Sequence, residues 1–149
     1  MRKKRKAVWK LLMIVTVLIP GQACKQEGSV EPEPQSELQK ATVRLTETIE
    51  SEHFIFHFVP GDGDRAEVER MEAYHRWAMS YLGLQAPKRI DYYMFPSSSE
   101  IETAFGYRFG GRAFFEEFAV ATAYSWHNHE CFHLYTCLIG NPPRLFAEG

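Results

Sequence analysis

Three residues toward the C-terminal end of the sequence have the types and spacing needed to hold and use a metal ion: His129, Glu130 and His133. Together they form the pattern His-Glu-x-x-His. Residues four positions apart on a helix project from one face, so both imidazoles can reach a single Zn²⁺. The intervening Glu leans toward a water on that metal and can accept its proton. The spacing predicts a zinc site in which a metal-activated water is the nucleophile and Glu130 the general base.

The elements that must position this motif can be read from the hydrophobic pattern. A helix over residues 126–138 carries it, and the Gly-Asn-Pro-Pro stretch at 140–143 ends that helix. A long amphipathic helix is predicted over residues 65–82, with Gly83 as its C-terminal stop. The pattern also predicts strands at 54–59, 89–95 and 118–124, a short helix at 100–105 capped by serines, and a glycine-rich loop at 106–113. The fold class is therefore α+β.

Two cysteines and one further histidine near the motif are expected to be structural residues and not metal ligands. Cys131 and Cys137 are six residues apart on the predicted helix, so they diverge in direction and are expected to be small buried residues. Cys131 should point away from the metal. His127 lies two positions before His129 and so on roughly the opposite side of the helix, which predicts a surface or capping histidine.

The first 23 residues are typical of a secretory signal. Residues 2–6 are all Lys or Arg, residues 11–19 are apolar except for Thr16, and Gly21-Gln22-Ala23 has the small residues Gly21 and Ala23 for cleavage. The apolar run is shorter than the ~20 residues that a membrane-spanning helix needs. The chain is therefore expected to be exported, with residues 1–23 as the signal peptide.

Cys24 directly follows Ala23 in a context that resembles the lipobox of bacterial lipoproteins, in which the cysteine is lipidated. A lipobox favours a Leu-like residue three positions before the cysteine, and this chain has Gly21 there. Cleavage by ordinary signal peptidase stays open, and it would leave a periplasmic or secreted soluble product. Residues 24–50 are predicted to be the lipid-anchor cysteine and a flexible linker, because residues 25–39 are rich in Glu, Pro, Gln and Ser. The expected location is the cell envelope, with the membrane as a partner through Cys24.

Charge excludes one class of partner. Removing residues 1–23 leaves 11 Lys and Arg against 19 Asp and Glu, a formal net charge of −8. A basic face for nucleic acid is therefore not expected. The sequence indicates no particular oligomeric state.

A second segment carries a family resemblance. Pro143-Arg144-Leu145-Phe146-Ala147-Glu148-Gly149, after the HExxH helix and a Pro-containing turn, resembles the gluzincin branch of the zincin metallopeptidases, in the peptidase MA clan. The resemblance implies that Glu148 is the third zinc ligand beside His129 and His133. The metzincin pattern HExxHxxGxxH does not fit, because Thr136 and Ile139 stand where Gly and His are required.

The resemblance also implies an architecture and an activity. Residues 51–149 would be a zincin-like N-terminal subdomain, with a small mixed sheet packed against the long helix and the HExxH helix. Gluzincins continue past the third ligand into a further subdomain, so the resemblance implies a domain incomplete at its C-terminus. The expected activity is zinc-dependent hydrolysis of a peptide or protein substrate paired with a sheet edge, for which Ala119–Thr122 is the candidate. An ordinary core strand is the alternative for Ala119–Thr122. A non-catalytic, lipid-anchored binding protein that keeps the scaffold is the alternative.

Overall fold

A five-stranded mixed sheet forms the centre of the fold. The computed structural model describes residues 35–140. Its strands pair in the order β1-β2-β3-β5-β4. The three central strands are parallel, and each outer strand is antiparallel to its neighbour. The strands are β1 Glu47–Glu50, β2 Phe54–Phe58, β3 Ile90–Met94, β4 Gly111–Phe114 and β5 Ala119–Thr122.

Within residues 35–140, four helices accompany the sheet, which makes the fold α+β as predicted. They are α1 Glu37–Ala41, α2 Val68–Leu82, α3 Ser98–Phe105 and α4 Asn128–Cys137. The predicted long helix is confirmed as α2, although it begins three residues later, after a short 3₁₀ turn at Gly63–Arg65. It ends where Gly83 takes the left-handed conformation (φ 66°) that glycine adopts without strain. Among residues 35–140, no helix has both the length and the hydrophobicity to cross a bilayer.

Alternating side chains of the sheet build two hydrophobic clusters, one on each face. On one face, β2 and β3 pack against α2 and α4, which holds the predicted motif helix on the sheet. On the other, buried residues of α1 and α3 pack against β4 and β5. Fully buried members of the first cluster include Phe54, Phe56, Met71, Ile90, Tyr92, Leu134 and Tyr135. The position of α4 is therefore set by core packing that does not involve the two motif histidines.

The folded region begins earlier than the predicted boundary at residue 51. Within the segment expected to be linker, residues 37–41 form α1 and residues 47–50 form β1. Ser36 and Gln39 make a reciprocal capping box that starts α1. Leu38 is only 2% exposed because it packs into the second cluster. A polar segment with a single well-placed leucine thus contributes a helix that composition alone did not reveal.

The glycine-rich segment 106–113 is also more ordered than predicted, since its last residues begin β4. Gly111 and Phe114 pair with Thr122 and Ala119, the two ends of β5. This makes β4 the outer strand and places β5 inside the sheet. The expectation that Ala119–Thr122 is the sheet edge is therefore wrong: all four of its residues are buried between β3 and β4.

Replacing Ser97 with Ala is expected to lower the free energy of unfolding by about 1 kcal/mol. The Ser97 side chain accepts a hydrogen bond from the Glu100 backbone N–H at 3.3 Å and caps α3, as the sequence predicted. Urea denaturation measures the change. Ser98→Ala is the matched control because it removes the same atom one position inside the helix; an equal loss in both variants would contradict the capping role.

Candidate metal centre

The HExxH residues lie on α4, as predicted, and their imidazoles converge. The Nε2 atoms of His129 and His133 are 2.9 Å apart. His129, Glu130 and His133 each offer a ligand atom within 4.8 Å of the others. His129 is exposed, whereas Glu130 and His133 are partly buried. The three groups therefore face one point at the surface, open to solvent on the His129 side.

The opposite face of α4 anchors the helix. Cys131, Leu134 and Tyr135 are fully buried in the first cluster. The Tyr135 hydroxyl lies 3.0 Å from Nδ1 of His75 on α2. Burial raises the pKa of the Cys131 thiol well above its usual range, so the thiol stays protonated. Cys131 is thus a core residue on the side away from the motif histidines, as predicted.

His127 has a different environment from the one predicted. It occupies the N-cap position of α4, but its side chain makes no capping hydrogen bond. Its Nδ1 lies 2.9 Å from Oγ1 of the buried Thr122 at the end of β5. Its Nε2 lies 3.9 Å from Oε1 of Glu130. His127 is thus the N-cap residue, as one of the two predicted alternatives has it, but its side chain neither caps α4 nor lies at the surface, since the ring packs between Thr122 and Glu130.

The hydrogen bonds of Thr122 define the tautomer of His127. A hydroxyl has one proton, and Thr122 Oγ1 donates it to the carbonyl oxygen of Gly110 at 2.9 Å. The same oxygen accepts from the Tyr124 backbone N–H at 3.1 Å, so toward His127 it can only accept. Nδ1 of His127 therefore carries the hydrogen. Burial lowers the pKa of His127, although Glu130 acts in the opposite direction, which leaves Nε2 as a bare acceptor toward Glu130.

Glycine at position 111 is needed for this arrangement. A Cβ atom there would overlap Nδ1 and Cε1 of the His127 ring and lie 3.0 Å from Cγ of Glu130. The first residue of β4 therefore packs directly on the motif. No spacing rule predicts this contact, since it joins a strand to a helix 17 residues later.

Two predicted site residues, Cys24 and Glu148, lie outside the described residues, as does the predicted signal segment 1–23. The structure thus brings together His129, Glu130 and His133, and adds His127, Thr122 and Gly111 around them. In comparisons with known proteins, no family model, no curated protein and no solved structure matches the chain. The chemistry of the site itself therefore carries the functional argument.

Proposed function

We propose that the protein is a zinc-dependent peptidase of gluzincin type. The observation that carries the proposal is the 2.9 Å separation of the His129 and His133 Nε2 atoms, with Glu130 beside them. Two imidazole nitrogens converging on one point from a single helix face are the donor set that zinc prefers. An acidic group within reach of the same point adds a proton acceptor.

The residues present fit a zinc ion with little rearrangement. Two ligands of a tetrahedral zinc centre with Zn–N bonds of 2.0–2.1 Å lie about 3.3 Å apart. The observed nitrogens are 2.9 Å apart, so a small rotation of the exposed His129 ring is sufficient. We propose Glu148 as the third ligand, on the family resemblance of the segment that contains it. The remaining coordination position would then be open to substrate.

Glu130 would perform the proton transfers. Zinc bound at this site would polarise the scissile carbonyl and lower the pKa of a coordinated water. Glu130 takes the proton of the attacking water and delivers it to the leaving amine. The His127 ring packs beside Glu130, with Nε2 3.9 Å from Oε1, and so limits by contact where the carboxyl group can move.

An extended peptide is the substrate that this surface suits best. With β5 inside the sheet, β4 is the outer strand on the motif side, and it begins at Gly111 beside His127 and Glu130. An extended chain that pairs with a free strand edge is held by main-chain hydrogen bonds, without regard to its sequence. We propose β4 in place of β5 as the substrate-pairing edge.

The proposed setting is the cell envelope. It rests on the signal-like residues 1–23 and on Cys24 as a lipid attachment site, with cleavage to a soluble product as the alternative. The formal charge of −8 that remains after residue 23 makes nucleic acid an unsuitable partner.

Zinc content and chelator sensitivity test the proposal together. The full chain is expected to bind zinc at the motif and to hydrolyse a quenched-fluorescence peptide mixture, with hydrolysis abolished by a chelator and restored by zinc. His129→Ala is expected to remove zinc from the motif, measured by titration against a chromophoric chelator. Phe132→Ala, on the same exposed turn of α4 but without a ligand atom, is the control. Zinc binding that is unchanged in His129→Ala would overturn the assignment; zinc binding without hydrolysis would indicate the non-catalytic alternative.

A further inference from the structure

A second cluster of ligating side chains lies at the opposite end of the sheet from the HExxH motif. His53 directly precedes β2 and Arg89 directly precedes β3, so both stand at the amino ends of parallel strands. Thr122, which contacts His127, stands at the carboxyl end of β5. A cavity of about 530 Å³ opens beside His53, lined also by Glu52, His75, Arg76, Lys88 and Arg89. The volume is within the range of small-ligand sites.

A buried carboxylate fixes the orientation of His53. Glu72 on α2 is 6% exposed and lies 2.7 Å from Nδ1 of His53. It also accepts hydrogen bonds from the Ser51 hydroxyl at 2.6 Å and the His53 backbone N–H at 2.8 Å. The Ser51 hydroxyl and the His53 N–H both donate to the same oxygen, Oε1, so Glu72 acts as the hydrogen-bond acceptor of the cluster.

The hydrogen bond to Glu72 decides which nitrogen of His53 is free. Since a carboxylate accepts, Nδ1 carries the hydrogen, which leaves Nε2 as the ring nitrogen that can bind a metal. That nitrogen lies 3.9 Å from Oε1 of Glu52, whose side chain is 72% exposed and free to move closer. A carboxylate that holds one ring nitrogen while the other faces a cavity is the arrangement usual for metal-ligating histidines.

His75 holds the His53 ring from one side. The two rings stack with centroids 4.1 Å apart and an interplanar angle of 24°. Nδ1 of His75 lies 3.0 Å from the Tyr135 hydroxyl on α4, which keeps the His75 ring in this stacked position. The lone pairs of stacked rings do not converge, so His75 supports His53 and is not itself a ligand.

The charges around the cluster are largely balanced. Arg76 lies 3.6 Å from Glu72 and Arg89 lies 2.7 Å from Glu50. The positive charges of those two guanidinium groups are therefore already paired with carboxylates. Lys88 at the cavity lining supplies a positive charge that suits an anion bound next to a metal.

We propose that His53 and Glu52 form a second metal site, for a divalent transition metal such as Zn²⁺. His53 Nε2 and the Glu52 carboxylate are the protein ligands, and Glu72 orients His53. The other coordination positions open into the cavity, where water or a small anion completes the shell. An imidazole ligand favours zinc, copper or nickel over magnesium or calcium. The site is independent of the proposed peptidase function.

Zinc titration of the full chain in matched variants tests this site. His53→Asn is the informative change, because the Asn amide N–H occupies the place of Nδ1 and keeps the hydrogen bond to Glu72, while Nε2 is lost. We expect about two zinc ions per wild-type chain, about one in His53→Asn, about one in His129→Ala/His133→Ala, and none in the triple variant. Glu52→Gln in the His129→Ala/His133→Ala background should weaken binding about tenfold or more.

The pattern of losses separates the two sites. If His129→Ala/His133→Ala binds no zinc, the second site is wrong and the HExxH assignment stands. If that variant binds as much zinc as the wild type but His53→Asn binds none, the HExxH assignment is wrong and the second site stands. Cu²⁺ bound to the His129→Ala/His133→Ala variant should show nitrogen hyperfine coupling that disappears on adding His53→Asn; coupling that persists would overturn the proposal. Should His53→Asn fail to fold, Glu52→Gln, at an exposed position, decides the question alone.

Discussion

Glu130→Gln is expected to reduce peptide hydrolysis by about 10²–10⁴-fold while zinc binding at the motif is retained. Gln has the same shape as Glu but cannot take a proton from water at neutral pH. Glu130 is partly buried and lies beside His129 and His133, so the change removes the proton acceptor without creating a cavity. Initial rates with a quenched-fluorescence peptide mixture, and zinc content measured on the same samples, check the prediction.

Two matched variants sharpen this result. Glu130→Asp keeps the carboxylate but withdraws it by one methylene, so an intermediate rate is expected. Glu102→Gln makes the same chemical change on the exposed surface of α3 and should leave hydrolysis unchanged. A Glu130→Gln rate within a few-fold of the wild type would rule out Glu130 as the general base.

The part of the candidate site that depends on local geometry could be predicted from sequence. His129 and His133 converge because the helix itself places residues four apart on one face, whatever else the chain does. His127 could not be placed in the same way. Its position depends on the turn between β5 and α4 and on Thr122, a residue whose hydroxyl is buried by strands from elsewhere in the chain. Helical angles do not apply to a residue that precedes the first helical turn.

The secondary structure also divides into elements that the local sequence pattern predicts and elements that depend on contacts with other parts of the chain. Residues 68–82 and 54–58 were recognised because each has a regular pattern of apolar residues and a clear stop signal such as Gly83. Strand β4 cannot be recognised from the sequence, because Gly111 and the glycines before it are characteristic of loops and β4 is a strand only through its pairing with β5. Helix α1 cannot be recognised from the sequence, because five residues are too few to show a period and the cluster that buries Leu38 is built mainly from residues after position 90.

Gly111 belongs both to strand β4 and to the candidate site. The same glycine that makes this segment look like a loop in the sequence leaves the space that the His127 ring occupies. Because Gly111 has no side chain, β4 can lie directly against the His127 ring and Cγ of Glu130. If Glu130 is the general base, as proposed, a strand edge this close to it would hold an extended substrate beside the proposed catalytic residues. Substitution at position 111 should therefore disturb stability and the site together.

Gly111→Ala is expected to lower the free energy of unfolding by about 1–3 kcal/mol and to slow hydrolysis by about tenfold or more. The new Cβ would overlap the His127 ring and crowd Cγ of Glu130. The ring must then leave its place, which breaks the hydrogen bond to Thr122 and frees Glu130 to move. Urea denaturation and peptide hydrolysis measure the two effects.

A double-mutant cycle with His127→Ala tests whether the stability lost in Gly111→Ala comes from the contact between the new Cβ and the His127 ring. Removing the ring makes room for the Cβ, so Gly111→Ala should cost much less stability in the His127→Ala background than in the wild type. The remaining approach, 3.0 Å to Glu130 Cγ, can be relieved by a shift of a few tenths of an ångström. Equal costs in the two backgrounds would mean that the loss comes from the strand itself. In that case Gly111 would matter for β4 alone, and the strand would not be coupled to the site through His127.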